Sequence, residues 1–143
     1  MSEHRVLIVD DEVEFANLLG ERLQARGLTV DTVFSGEEAL EIAEKKTFDA
    51  ILLDLAMPGM NGIETLERLR AINPDLQIIL FTGNATVDVT LEAMKLGAVD
   101  LLEKPANLEK VLSKIDAAGT RARELAEQHL DDQLTDILRR KGW

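Results

Sequence analysis

The chain contains no cysteine and no tyrosine, and its 143 residues include only one tryptophan and four phenylalanines. Without thiols there are no disulfides and no thiolate-bound metal centres. With aromatics at 3%, the core has to be built from aliphatic side chains. Positive charge is also scarce: 16 Lys and Arg stand against 27 Asp and Glu, for a net charge of -11. Nucleic-acid recognition needs a basic face to neutralise phosphates, so the expectation is no DNA contact, with cations or basic protein surfaces as partners. The acid excess is local, since residues 1–105 hold 20 acids and 9 bases whereas residues 106–143 hold 7 of each. No apolar run approaches the ~18 residues of a membrane span, and "MSEHR" lacks the pattern of a secretory signal. A cytosolic protein without membrane insertion is expected.

The chain is long enough for one domain with a real core, or for one domain plus an appendage. Val6–Val9, Ala50–Leu53 and Ile78–Phe81 are continuously apolar, as strands covered on both faces tend to be. Leu28–Val33 alternates in part and Val99–Leu102 carries an acid, so both read as edge strands. Helical spacing lies between them. Phe15, Leu18, Leu19 and Leu23 form a stripe that ends at Gly27; Ala39, Leu40, Ile42 and Ala43 follow a loop around Ser35 and Gly36. Ile63, Leu66, Leu69 and Ile72 precede Asn73-Pro74, Val87, Leu91 and Met94 precede Gly97, and Leu108, Val111, Leu112 and Ile115 follow Pro105. Five strand-then-helix repeats predict an α/β fold, a doubly wound (βα)5 parallel sheet of flavodoxin-like order 2-1-3-4-5.

Sites in such sheets lie beyond the carboxyl ends of the strands. Those ends read Asp10 and Asp11, then Asp54, Thr82 and Lys104-Pro105. The stretch "VLIVDDE" sets adjacent carboxylates directly after a buried strand. Two such charges roughly 4 Å apart repel by about 4 kcal/mol at an effective dielectric of ~20, which calls for a cation. Oxygen ligands suit magnesium, a hard ion often shared with a phosphate. Taken singly, Asp10 or Asp11 could cap the first helix, Thr82 could be a turn hydroxyl and Lys104 a surface lysine. Their joint placement at corresponding strand ends is what makes them a candidate site.

"IVDDE", "LLDLAMPGMNG", "FTGN" and "LEKP" together resemble the receiver domain of two-component response regulators over about residues 4–118. The resemblance implies that Asp54 is the phosphoacceptor and that Asp11 and Asp54 ligate Mg2+, with the backbone carbonyl of Ala56 as a third protein ligand. It implies that Asp10 helps hold the metal and its waters, that Thr82 and Lys104 bind the phosphoryl oxygens, and that the Lys104-Pro105 bond is cis. A histidine kinase or phosphotransfer protein would be the donor and a downstream protein the target. An exposed Asp54 would need no general base, because a carboxylate is ionised near neutral pH. Ala56 and Asn84 occupy positions where the family tunes water access.

One departure concerns the switch: the family usually has an aromatic residue three positions before the lysine, where this chain has Leu101, so a weaker or rerouted switch is expected. Beyond the receiver pattern (1–118), residues 119–143 form a C-terminal extension whose Ala122, Leu125, Leu130, Leu134, Ile137 and Leu138 suit an amphipathic helix. That helix either continues the fifth one or restarts after Gly119, and either packs back on the domain or pairs with a second copy as a homodimer. His4 and His129 are expected to face solvent. Two other readings are weighed: a degenerate receiver acting as a structural module, and a haloacid dehalogenase-like phosphatase. The phosphatase needs a second aspartate two residues beyond the nucleophile, where this chain has Ala56.

Overall fold

The three continuous apolar runs become the middle of the sheet. In the computed structural model, which describes residues 4–57, 59–83 and 86–142, β1 (Arg5–Val9), β3 (Ala50–Leu53) and β4 (Ile78–Thr82) lie between β2 (Thr29–Val33) and β5 (Asp100–Glu103). The five strands run parallel in the order β2-β1-β3-β4-β5, as the partial alternation of the two edge segments predicts. Helices α1 (Val13–Ala25) and α5 (Leu108–Arg140) cover one face, whereas α2 (Gly36–Lys45), α3 (Gly62–Ile72) and α4 (Val87–Lys95) cover the other. Successive strand residues point to opposite faces. Leu7 and Val9 accordingly pack in the α2–α4 core, while Val6 and Ile8 pack in the α1 and α5 core.

The helix boundaries follow from side-chain chemistry. Ser35 Oγ accepts the Glu38 N–H at 3.1 Å while Glu38 Oε1 accepts the Phe34 N–H at 3.1 Å, a reciprocal capping arrangement that satisfies orphan donors. Asn61, Thr86 and Asn107 cap α3, α4 and α5 in the same single-acceptor way. Gly27 and Gly97, which follow α1 and α4, hold φ of 91° and 110°, values that a side chain disfavours.

α5 passes through Gly119 without a break, for 33 residues in all. The C-terminal extension is therefore the second half of a single helix. His4 explains the glycine. This residue is 2% exposed, against the expectation that it faces solvent. The start of β1 lies beneath α5, and the imidazole is enclosed between Asp116 Oδ1, 3.3 Å from Nε2, and Asp49 Oδ2, 3.8 Å from Nδ1. A Cβ on Gly119 would fall 2.4 Å from the His4 ring. Gly119→Ala should therefore destabilise the fold by about 1–3 kcal/mol through overpacking, even though alanine favours helix by ~1 kcal/mol. Denaturant unfolding measures this, and a stabilised variant would show that the contact is not tight.

The other histidine is exposed as expected, but it is not idle. His129 Nε2 lies 2.5 Å from Asp75 Oδ2, tying the extension to the loop before β4. The fourth helix differs from its sequence pattern. Val87, Leu91 and Met94 are 76%, 54% and 38% exposed, and Ala93 is the buried residue, with Val89 partly packed. The apolar stripe of α4 thus faces solvent, because a short residue seats this helix on the sheet. Among the described residues no helix is long and apolar enough to cross a membrane.

Candidate functional site

Hydrogen bonds at the carboxyl ends of the strands gather the charged residues at one rim. Asp10 follows β1, where its Oδ1 accepts the Glu12 N–H at 2.9 Å, a local turn that leads into α1 without a side-chain cap on the helix. Asp54 follows β3, and its Oδ1 accepts the Ala56 N–H at 3.2 Å. Thr82 ends β4, fully buried, and its carbonyl accepts the Lys104 N–H at 3.0 Å. That last bond carries the chain from β5 to Lys104, and the Lys104-Pro105 bond is cis, as expected.

Lys104 Nζ donates to Asp10 Oδ2 at 2.7 Å and to Glu12 Oε1 at 3.1 Å, and stands 3.8 Å from Asp54 Oδ2. The ammonium is thus the counter-charge of three carboxylates. Asp10, Glu12 and Asp54 offer oxygens that all lie within 4.8 Å of one another, a donor set suited to a hard divalent cation. Glu12 belongs to this group and Asp11, half-buried, does not. The turn closed by the Glu12 N–H on Asp10 Oδ1 and the Lys104 ammonium that both side chains share bring the first and third acids of "DDE" together. The third acid is visible in the sequence but was not among the expected ligands, because the family pattern assigns the second.

Asp54 is 4% exposed, which corrects the expectation of an exposed carboxylate: it is walled in by its neighbours rather than held out to solvent. Burial pushes the Asp10 carboxyl above the usual carboxylate range, the nearby Asp54 charge adds to this, and the bonds from Lys104 and the Glu12 N–H oppose it without cancelling it. At Lys104 the balance runs the other way. Burial pulls the ammonium down, but its bonds to Asp10 and Glu12 and the attraction of Asp54 outweigh that, leaving its pKa above the ordinary lysine value.

Leu101 sits on β5 opposite Leu80, partly packed on the core, and lines a shallow groove with Val87, Thr90 and Leu91 of α4. Ala56 is exposed at the rim. Asn84 lies outside the described residues.

The parallel order β2-β1-β3-β4-β5 with a lysine-neutralised acidic rim at the carboxyl ends of the strands is a flavodoxin-like architecture with its polar groups where such sheets carry their sites. The chain belongs to the response regulator receiver domain family, whose model matches residues 6–116. It is the receiver domain of a two-component response regulator. Transcriptional regulatory protein ZraR of Salmonella typhimurium is 35% identical over 119 residues, 83% of this chain and 27% of that protein. The chain thus spans about a quarter of the length of that curated relative. A CheY-like receiver domain from Methanospirillum hungatei superposes with a TM-score of 0.82 at 28% identity, covering 86% of this chain and 98% of its own. A response regulator from Burkholderia pseudomallei, described with a phosphorylated aspartic acid and a calcium ion, superposes with a TM-score of 0.75 at 28% identity, covering 97% of this chain and 86% of its own.

Proposed function

We propose that Asp54 receives a phosphoryl group from the phosphohistidine of a histidine kinase or phosphotransfer protein. An Asp54 oxygen attacks phosphorus, the P–N bond breaks as the O–P bond forms, and the leaving imidazole nitrogen keeps the electron pair and takes up a proton. The product is an acyl phosphate. The observation that supports this best is the single ammonium of Lys104 shared among Asp10, Glu12 and Asp54. It can turn to the phosphoryl oxygens as charge spreads over them. Thr82, buried at the end of the next strand, would donate its hydroxyl to the same oxygens. The acid group fits Mg2+, held by Asp10, Glu12 and Asp54, with Asp11 and the Ala56 carbonyl at the positions the family pattern assigns. Bound there, the ion would neutralise the carboxylates and the transferred group. The solved relative with a phosphorylated aspartic acid and calcium supports both assignments.

The chain modifies itself and is not a metabolic enzyme on this reading. Output would pass by protein contact through the exposed α4 residues Val87 and Leu91 beside Leu101. Transcriptional regulation is said of relatives most of whose length lies outside the match, and the acidic balance of this chain supports protein contact rather than DNA contact by these residues.

Incubation of the full chain with a small acyl phosphate donor and Mg2+ should add one phosphoryl group, mapped to Asp54 by mass spectrometry. Sustained turnover of phosphate monoesters would instead indicate the phosphatase. An inert protein would indicate the structural module.

A further inference from the structure

Lys104 has an aromatic neighbour as well as acidic ones. Its Nζ lies 4.4 Å from the centroid of the Phe15 ring and 5.9 Å from that of Phe81. The two rings meet edge to face at 5.6 Å with 69° between their planes, so the edge of one fixes the other. Phe15 comes from the first turn of α1 and Phe81 from β4 just before Thr82, in a chain with few aromatics of any kind. In sequence Phe15 is one member of a helical stripe, and nothing in that periodicity separates it from a leucine.

A lysine ammonium is a point charge on a flexible four-carbon stem, so its aim depends on what holds it. Here Asp10 and Glu12 take two of its three donors. On the reading of Asp54 given above, those carboxylates turn to a cation during the reaction, and the hydrogen bonds that hold Lys104 are then given up. The ring face does not change partners. Its quadrupole attracts the cation whatever the acids are bound to, and an aliphatic side chain of similar volume would fill the same space without that attraction.

We infer that Phe15 is a positioning residue for Lys104, its ring face keeping the ammonium aimed at Asp54 when Asp10 and Glu12 engage a cation. The inference rests on the assignment of Asp54 as phosphoacceptor. It is tested on the full chain with Phe15→Leu and Phe15→Met as non-aromatic fillers and Phe15→Trp as an aromatic replacement. With a small acyl phosphate and Mg2+, the two fillers should be phosphorylated about tenfold more slowly, the equivalent of ~1.4 kcal/mol, while tryptophan restores the rate to within about twofold. In the NMR spectrum of the metal-free protein, the ε-methylene protons of Lys104 should be shielded by the ring in the native and Phe15→Trp chains and lose that shielding in the folded filler variants. A purely space-filling role would leave the fillers at the native rate, or slow the tryptophan variant as much as they are slowed. Either result overturns the inference while leaving Asp54 as the acceptor. A native chain that takes up no phosphoryl group, with the shielding intact, removes the reading of Asp54 and with it the inference.

Discussion

Asp54→Asn should take up no phosphoryl group from a small acyl phosphate, because the amide has no anionic oxygen to attack phosphorus. The same variant should be more stable than the native chain when no divalent ion is present. Asp54 is buried within 4.8 Å of the carboxylates of Asp10 and Glu12 and 3.8 Å from Lys104. At an effective dielectric of ~20 the attraction to Lys104 is worth about 4 kcal/mol and the repulsion from buried Asp10 about 3.5 kcal/mol. The weaker, solvent-screened repulsion from Glu12, whose side chain is 64% exposed, adds to the latter, so repulsion together with the burial of the charge outweighs the one attraction. Asparagine keeps an acceptor for the Ala56 N–H. After discounting for relaxation, a gain of about 1–2 kcal/mol is expected in urea unfolding. Added Mg2+ should shrink that difference, since an ion that binds only the folded state stabilises it by mass action and the variant binds it less well. A variant that still gains one phosphoryl group would show that the acceptor lies elsewhere.

Lys104→Met tests the opposite member of the site. It preserves much of the stem and removes the one ammonium that Asp10, Glu12 and Asp54 share. Removing one partner of a buried ion pair typically costs about 3 kcal/mol or more, and the Lys104 side chain is only 14% exposed, so a loss of about 3 kcal/mol is expected near neutral pH. The pH dependence has a definite sign. Asp10 already holds its proton more tightly in the fold than in the unfolded chain, so its ionised form opposes folding. Without Lys104 that opposition grows, and it disappears as the pH falls through the raised folded value and Asp10 becomes neutral. The variant should therefore approach the native chain in stability under mild acid. Mg2+ should also recover part of the loss, by taking over the counter-charge. Equal stability of the two chains at neutral pH would mean that the ammonium and the acids are not coupled.

The sheet was legible in the sequence because its middle strands are buried on both faces, and short apolar runs such as "AILL" from Ala50 to Leu53, alternating with helical patterns, suit strands of a parallel sheet. The strand-end site was legible for the same reason, since once the strands are placed their next residues share a rim. What could not be read is whatever depends on packing between distant segments. His4 is buried because α5 crosses above it, more than a hundred residues away in sequence. Asp54 is buried because Lys104 and the other acids surround it, although a lone carboxylate reads as exposed. Val87, Leu91 and Met94 have helical spacing, but spacing does not say which face meets the sheet, and here Ala93 does. The assignment of Asp11 as a metal ligand rests on the family pattern, whereas the acid that joins Asp10 and Asp54 is Glu12.

α5 begins four residues after Lys104 and continues for 33 residues, about 50 Å at 1.5 Å per residue. Past Gly119, packed against His4, the rod is tied to the domain again by the clasp between His129 and Asp75, and beyond that clasp Leu130, Leu134 and Ile137 stand exposed, so its last turns hold apolar side chains in water.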